Sequence, residues 1–197
     1  GTQECLKSQA DFIKEVLTGY DWIGAGREHD GGGEMMAVFY RKEAVTPVRS
    51  GHFWLSETPE VPGSKSWDTS CTRMVTWAEF QCNEGGRRFY LFNTHFDHKS
   101  ERAREESARL LLQKTRELAG SAPLIVTGDF NAPAESAAPW KILTEGGLQD
   151  GWVTACERIG PEMTYGGFKA PDPAQSTGNR IDWILAGNAV AVTRAET

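Results

Sequence analysis

The sequence predicts a single α/β sandwich domain in which mixed β-sheets are flanked by helices. Helix and strand patterns follow one another in the order helix, paired strands, helix, strand, helix, strands. Some strands are joined by a hairpin-type turn and others are separated by a helix, so antiparallel and parallel neighbours should coexist. This combination argues against a doubly wound parallel sheet. A chain of 197 residues suits one domain with a sizeable core.

The first half of the chain predicts one helix and three strands. Apolar residues recur at helical spacing in 5–18, and Gly19 follows as a stop signal. The sequence NEGG at 83–86 is a hairpin-type turn between two aromatic-rich runs. The expected strands are 34–41, 73–82 and 87–96.

The second half contains the clearest helix, at 100–119, where opposite charges four residues apart mark a solvated face. The continuous apolar run 123–128 predicts a strand covered on both faces. A further helix is expected at 138–147, and strands at 180–187 and 189–193. The expected surface loops are 31–33, 59–67 and 166–178.

The composition is that of a soluble globular protein, with 39% hydrophobic and 24% charged residues. A formal net charge of -6 disfavours sequence-independent binding to nucleic acid. No apolar run approaches the ~18 residues of a membrane span. The four cysteines contain no Cys-x-x-Cys pair, so scattered thiols are expected and one disulfide stays open. We expect a monomer, with the cytoplasm slightly favoured and secretion left open.

Polar residues lie at the ends of the apolar strands, where a rigid scaffold can hold functional groups. Asp129 and Asn131 end the run at 123–128, and residues two apart on an extended segment point the same way. A carboxylate and an amide there suit a water nucleophile and a phosphoryl group. The alternative is a plain turn, because Asp and Asn also stabilise turns.

His95, Glu4 and Asp182 complete the set of candidates. His95 ends the strand at 87–96 and could donate to a developing phosphoryl charge, although a lone His is more often structural. Its spacing to His98 is poor for zinc. Glu4 could simply be an acid in the first turn of a helix. Asp182 lies within an apolar strand and therefore needs a partner, which the neighbouring Arg180 on the opposite face does not supply.

The segments GTQE, NTHFDH, TGDFNA and RIDWIL, in this order, resemble the endonuclease/exonuclease/phosphatase superfamily. The stretch 53–73 is similar to a less characterised bacterial and fungal branch. The resemblance implies a four-layer α/β sandwich with two mixed, mainly antiparallel sheets. It also implies a Mg²⁺- or Mn²⁺-dependent attack of water on a phosphoester.

The resemblance assigns a role to each matching residue. Glu4 resembles the metal ligand, and Asp129 the carboxylate that positions or deprotonates the water. Asn131 and His95 resemble the groups that hold the scissile phosphate. Asp182 resembles the acid that orients a catalytic histidine.

This chain departs from the family pattern at both ends. The family usually has a strand carrying an Asn ahead of the Gln-Glu pair, and a Ser-Asp-His near its end. This chain begins at the pair and reaches Thr197 without that histidine. None of His29, His52 and His98 lies where a replacement would be expected. We therefore expect a domain over 1–197 that lacks both terminal segments and, as it stands, has impaired catalysis.

The substrate is predicted from the residues around the expected site. Arg73 could clamp a phosphate, or form an ion pair at a strand start. Asn93 could bind substrate, or support the residues of the site. Trp54, with Phe53 and Trp67, could stack on a base or ring, or simply pack in the core.

The expected substrate is a small phosphorylated molecule, a nucleotide or single-stranded nucleic acid. The alternatives are a duplex DNA endonuclease and a non-catalytic binding protein that retains the fold.

Overall fold

The computed structural model describes residues 1–167 and 180–197. In these ranges the helices are α1 (Lys7–Val16), α2 (Glu101–Ala119), α3 (Ala138–Glu145) and the single turn α4 (Gly151–Thr154). The strands are β1 (Tyr20–Ile23), β2 (Val38–Arg41), β3 (Val45–Trp54), β4 (Met74–Cys82), β5 (Arg88–His95), β6 (Leu124–Asp129), β7 (Gln149–Asp150), β8 (Glu157–Ile159), β9 (Asp182–Gly187) and β10 (Arg194–Glu196).

The centre of the molecule is a six-stranded mixed sheet with the order β3-β4-β5-β6-β9-β7. Only β5 and β6 are parallel within it, because α2 forms the crossover between them, and the other neighbours are antiparallel. A two-stranded antiparallel sheet pairs β1 with β2. The prediction of an α/β fold with mixed, mainly antiparallel sheets is therefore confirmed.

The elements stack in four layers. On one face of the large sheet, α2 and α3 bury side chains such as Leu111 and Leu143 against Phe92 and Val126. On the other face, β1 and β2 pack across β4 and β5 in a cluster that includes Val38. Helix α1 then covers the small sheet through the cluster of Cys5, Ala10, Met35 and Ala37. Burial of these apolar surfaces provides the main driving force for the fold.

Several predicted elements are confirmed with shifted bounds, and one is wrong. The predicted strand 34–41 begins only at Val38, because Met35 pairs through isolated bridges with Cys5 and Gly26 instead. The strand expected at 189–193 is absent. The last strand is β10, whose partner is the distant β8, and such long-range pairing leaves no local signal.

The central strand β6 shows why a continuous apolar run is ambiguous. Leu124 and Val126 are buried under the helices, as predicted. Ile125 and Thr127, on the other face, are only half-buried, so the expectation of full cover on both faces is wrong. This more open face leads directly to Asp129 at the end of the strand.

The remaining expectations concern loops, cysteines and membrane spans. Residues 31–33 and 59–67 lie in loops, whereas most of the loop expected at 166–178 falls outside the described residues. All four cysteines are free thiols. Within the described ranges, no helix is both long enough and apolar enough to cross a bilayer.

Candidate active site

Three strands deliver acidic and imidazole side chains to one edge of the large sheet. His95 of β5 is paired in register with Asp129 of β6, and Asp129 is paired with Asp182 of β9. Adjacent strands lie about 4.8 Å apart, so the three residues form a row. Since β9 is antiparallel to β6, Asp182 is its first residue, while His95 and Asp129 are the last of theirs.

Asn131 joins this row through a turn rather than through an extended strand. Its φ of 48° lies in the left-handed region, which asparagine tolerates better than most residues. Its backbone N–H donates to Asp129 Oδ1 at 2.8 Å, which forms an Asx turn. Its side-chain Nδ2 reaches both Phe96 O and His95 Nε2, each at 3.0 Å. The turn and site interpretations of this segment are therefore compatible.

His95 is almost fully buried and held as a neutral ring. Burial, reinforced by the positive charge of Arg73, lowers the pKa of His95 to about 3. The donor Asn131 Nδ2 faces His95 Nε2, which assigns the proton to Nδ1. Nδ1 is buried without a hydrogen-bond partner among the described residues and lies 4.0 Å from Glu4 Oε1. An unused N–H therefore faces the same space as the carboxylates.

The pKa of the Asp129 carboxyl group is raised, whereas that of His95 is lowered. Burial raises the pKa of Asp129 to about 6, and the carboxylates of Asp182 and Glu4 act in the same direction. The Asn131 N–H and the charge of Arg73 oppose that rise. Asp129 is therefore largely ionised at neutral pH yet still basic enough to accept a proton, as suits a general base.

Glu4 is placed by the segment that precedes α1. Helix α1 begins at Lys7, so the alternative of a first-turn acid is wrong for Glu4. The segment is fixed by Asn93, which is fully buried. Asn93 Oδ1 accepts from Gln3 Nε2 at 2.8 Å, and Asn93 Nδ2 donates to Thr2 O at 2.8 Å. With its amide committed to these bonds, Asn93 supports Glu4 rather than binding substrate.

Arg73 lies in the same cleft as the row, and only 5% of it is exposed. Its Nη2 lies 3.1 Å from His98 Nδ1, and its Nε lies 4.0 Å from Asp97 Oδ2, too far for a hydrogen bond. In the described part of the chain, Nε and Nη1 have no hydrogen-bond partner. Burial, aided by the like charge of Arg27, lowers the pKa of Arg73. Arg73 is thus a buried cation with unused donors.

Asp97 holds the loop that carries Arg73. Its Oδ2 accepts from Ser70 Oγ at 2.6 Å and from Thr69 Oγ1 at 2.9 Å. Its Oδ1 accepts from the backbone N–H groups of Lys99 and Ser100. Burial alone would raise the pKa of Asp97, but these hydrogen bonds outweigh it and lower the pKa well below its usual value.

Asp182 has no charged partner in the described part of the chain. Burial raises its pKa, and Thr164 Oγ1 accepts its backbone N–H at 3.1 Å. Arg180 is engaged elsewhere, 2.8 Å from Asp150 Oδ2, and is not the partner of Asp182, as predicted. The predicted reason, a position on the opposite face, is wrong, because residues two apart on an extended segment point the same way.

A family model described as the endonuclease/exonuclease/phosphatase family matches residues 1–197. The chain belongs to the endonuclease/exonuclease/phosphatase family.

Similar proteins support this assignment. A crystal structure of a family member from Bacteroides vulgatus is 36% identical and superposes with a TM-score of 0.91, covering 98% of this chain and 74% of that one. The mannosyl-6-phosphatase Bt3783 of Bacteroides thetaiotaomicron is 40% identical with a TM-score of 0.90, covering 98% and 72%. An uncharacterized protein of Acanthamoeba polyphaga mimivirus is 32% identical over 142 residues, or 66% of this chain. This chain spans 51%, about half, of that relative's length.

The structure also corrects the prediction that Trp54 and Phe53 bind substrate. Trp54 is 7% exposed and packs with Met36 and Met74. Its indole Nε1 donates to Arg27 O at 2.7 Å, and it does not line the cleft. Phe53 is likewise in the core. The prediction that a base or ring of the substrate stacks on Trp54 and Phe53 is therefore wrong, because both side chains at the end of β3 are buried in the core.

A cleft of about 820 Å³ is lined by Glu4, Arg73, His95, Asp129 and Asn131, whereas Asp182 lies outside its lining. Its lining includes residues that the sequence did not single out as site members: Arg27, Glu34, Cys71, His98, Tyr165 and Ile181. They come from separate loops, so no local motif marks them. The sequence signal for His98 was its place in the NTHFDH segment, three residues after the predicted site residue His95.

The donor set of the cleft fits the hard divalent cation that the family implies. Glu4 and Asp129 line the cleft, and the carboxylates of Glu4 and Asp182 both raise the pKa of Asp129. Within residues 1–167 and 180–197, no three potential ligands form a ready-made cage. Mg²⁺ typically uses one or two carboxylates and completes its shell with water and substrate phosphate, so a cage is not required.

Proposed function

We propose that the protein is a Mg²⁺- or Mn²⁺-dependent phosphoester hydrolase. Its substrate is a small phosphorylated molecule, a nucleotide or single-stranded nucleic acid. The observation that carries this proposal is a single cleft that brings together His95, Asp129 and the unused donors of Arg73, with Asn131 in contact with His95. Asp182 is paired in register with Asp129 at the border of this cleft.

Each side chain has a role that follows from its environment. Asp129, ionised at neutral pH, orients the attacking water and accepts its proton. The His95 Nδ1–H donates to a phosphoryl oxygen as negative charge develops there. Asn131 was predicted to hold the phosphate as well, but its two amide hydrogens bond Phe96 O and His95 Nε2, so its role is to hold the His95 ring in this orientation. Arg73 adds a full positive charge to the same group. Glu4 would hold the cation, whose chemistry is to polarise the phosphoryl group and offset its charge.

The preference for small or single-stranded substrates rests on charge and on similarity. The net charge of -6 gives a duplex backbone little overall attraction. The mannosyl-6-phosphatase that is 40% identical is named for a phosphorylated sugar. Both observations favour a phosphorylated small molecule over duplex DNA.

A substrate panel with Mg²⁺ tests this proposal. The panel contains sugar phosphates, nucleotides, single-stranded oligonucleotides and duplex DNA. Asp129→Ala and His95→Ala should each lose most of the hydrolysis. Glu84→Ala is the matched control, because Glu84 is an exposed carboxylate in the turn between β4 and β5, remote from the cleft.

The outcomes separate the alternatives. Unchanged hydrolysis in both site variants would show that the site is wrong. Cleavage of duplex DNA alone would overturn the substrate class. Binding without turnover of any panel member would favour the non-catalytic alternative.

A further inference from the structure

His98 lines the cleft beside Arg73, and the proposed reaction does not use it. Its Nδ1 lies 3.1 Å from Arg73 Nη2. A guanidinium carries only donors, so His98 Nδ1 has to accept this hydrogen bond. The neutral ring therefore carries its proton on Nε2. No described residue accepts a hydrogen bond from that atom.

Ser70 does not donate a hydrogen bond to His98 Nδ1 in place of Arg73. Its hydroxyl oxygen lies 3.4 Å from His98 Nδ1 but 2.6 Å from Asp97 Oδ2. A hydroxyl has one proton, and the short contact with an ionised carboxylate takes it. Arg73 is thus the group that fixes the tautomer of His98 and orients its ring.

Arg73 and His98 present their unused donors from one side of the cleft. Nε and Nη1 of Arg73 are buried and lack acceptors among the described residues, and His98 is an exposed residue. Buried donors without acceptors are unfavourable, so a ligand that supplies oxygens stabilises this arrangement. The charge of Arg73 acts on both His95 and Asp129, so this wall adjoins the reaction centre.

We propose that Arg73 and His98 form a recognition site for the terminal phosphate dianion of a phosphomonoester, and that His98 makes the enzyme prefer monoesters to diesters. This inference rests on the proposed phosphoester hydrolase function and narrows its substrate class. His98 is a specificity-determining residue whose Nε2–H donates to one non-bridging oxygen.

The selectivity follows from the number of free oxygens. A phosphomonoester presents three acceptor oxygens and close to two negative charges at neutral pH. In a diester one of those oxygens carries a second organic group, and the phosphate keeps a single charge. With Arg73 and His95 each donating to one of the other oxygens, the donor of His98 meets an acceptor only in the monoester.

The test compares 4-nitrophenyl phosphate with bis(4-nitrophenyl) phosphate, which share one leaving group, in the presence of Mg²⁺. His98→Asn keeps an acceptor near Arg73 but removes the Nε2 donor. We expect it to lower kcat/KM for the monoester by about 10- to 100-fold, as for the loss of a hydrogen bond to a charged group. For the diester we expect a change within about threefold.

Two further variants separate recognition from folding. His98→Gln places an amide N–H near the Nε2 position and should restore part of the monoester rate. Lys99→Gln, at an exposed neighbour outside the cleft, should leave both rates unchanged. Equal losses for the two substrates in His98→Asn, or no loss for the monoester, would overturn the inference while leaving the hydrolase function standing.

A binding measurement tests the proposed dianion preference without requiring hydrolysis. Isothermal titration with phenylphosphonate and with its monomethyl ester reports the dianion preference directly. Wild type should bind the dianion more tightly, and His98→Asn should remove most of that preference. An unchanged preference would overturn the inference. Because no bond is broken, this arm gives an answer even if none of the esters is hydrolysed, a result that would refute the hydrolase function separately.

Discussion

Two buried arginines, Arg180 and Arg73, are nearly equal in exposure, at 4% and 5%, but differ in their partners. Arg180 Nη1 donates to both oxygens of Asp150, at 2.8 and 3.0 Å, and its other nitrogens approach Glu135 and Glu162. In the described ranges, Arg73 has no such carboxylate within hydrogen-bond distance.

The difference distinguishes a buried charge that is balanced within the protein from one whose donors are free to bind a ligand. Around Arg180, charge and hydrogen bonds are balanced within the protein, and Asp150 also accepts from Trp140 Nε1 at 2.7 Å. Such a cluster joins α3, α4 and β9 and needs nothing further. The imbalance around Arg73 is unfavourable for the folded protein alone, and such unpaired groups concentrate where a ligand binds.

The largest expected effect is on stability, from Arg180→Met. Removing the guanidinium leaves Asp150 buried without its cation, which is expected to lower the free energy of unfolding by about 3–5 kcal/mol. Urea unfolding followed by tryptophan fluorescence measures this change. A loss below about 1 kcal/mol would contradict the structural role, because exposed ion pairs contribute that much or less.

The same substitution at Arg73 should have the opposite profile. Arg73→Met removes two donors without an acceptor among the described residues and one hydrogen bond, from Nη2 to His98, so the free energy of unfolding should change far less than in Arg180→Met. Phosphoester hydrolysis should fall by about 10²–10³-fold, as for the loss of one group that stabilises transition-state charge. Steady-state kinetics and urea unfolding on the same preparation check both halves. Equal destabilisation by the two variants would remove the distinction between the arginines.

Asp97→Asn tests the support of the loop that carries Arg73. An amide N–H cannot accept the bonds from Ser70 and Thr69, so the free energy of unfolding at pH 7 should fall by about 1–3 kcal/mol. The folded-state pKa of Asp97 is lowered, so its stabilisation is complete above the unfolded value of about 3.9 and decreases as pH falls below it.

The stability gap between wild type and Asp97→Asn should therefore narrow from pH 7 to pH 3. Thermal unfolding at pH 7, 4 and 3 measures it. The other carboxylates titrate in both proteins and cancel in the difference. A gap that is constant with pH would mean that the carboxylate charge of Asp97 does not contribute.

The smallest effect is expected from Trp54→Phe. The variant keeps an apolar ring in the core but loses the hydrogen bond to Arg27 O, so stability should fall by about 1 kcal/mol. Hydrolysis should be unchanged, because Trp54 lies outside the cleft. A large drop in kcat/KM at unchanged stability would restore the substrate-binding role that the sequence suggested.

The strand-end residues could be predicted from the sequence, whereas the walls of the cleft could not. His95 and Asp129 follow apolar runs, and both are brought to one sheet edge. Arg27 and His98 come from separate loops, and only the folded chain brings them into one cleft. Their roles depend on distances that no periodicity encodes.

Strand β3 was not predicted, and the reason again lies in the folded sheet rather than in the local sequence. Strand β3 contains Pro47 and Gly51, which weaken a strand pattern, and it lies at the edge of the sheet, where such residues are tolerated. Trp54 was misplaced because an aromatic side chain near a predicted loop gives no sign of which way the strand end turns. Trp54 is buried by Met36 and Met74, which come from other parts of the chain.

The contact between Gln3 and Asn93 spans 90 positions, and this separation sets an order of events during folding. The segment that carries Glu4 is also bonded to residues 35–37, but Asn93 of β5 bonds both this segment and Ala37 O, and closing so long a loop is slow. The active site is thus assembled late, after the sheet it borders. In pulsed hydrogen exchange during refolding, the amide of Thr2, bonded to Ala37 O, should become protected after the amides of β5. Protection of Thr2 first would contradict this order.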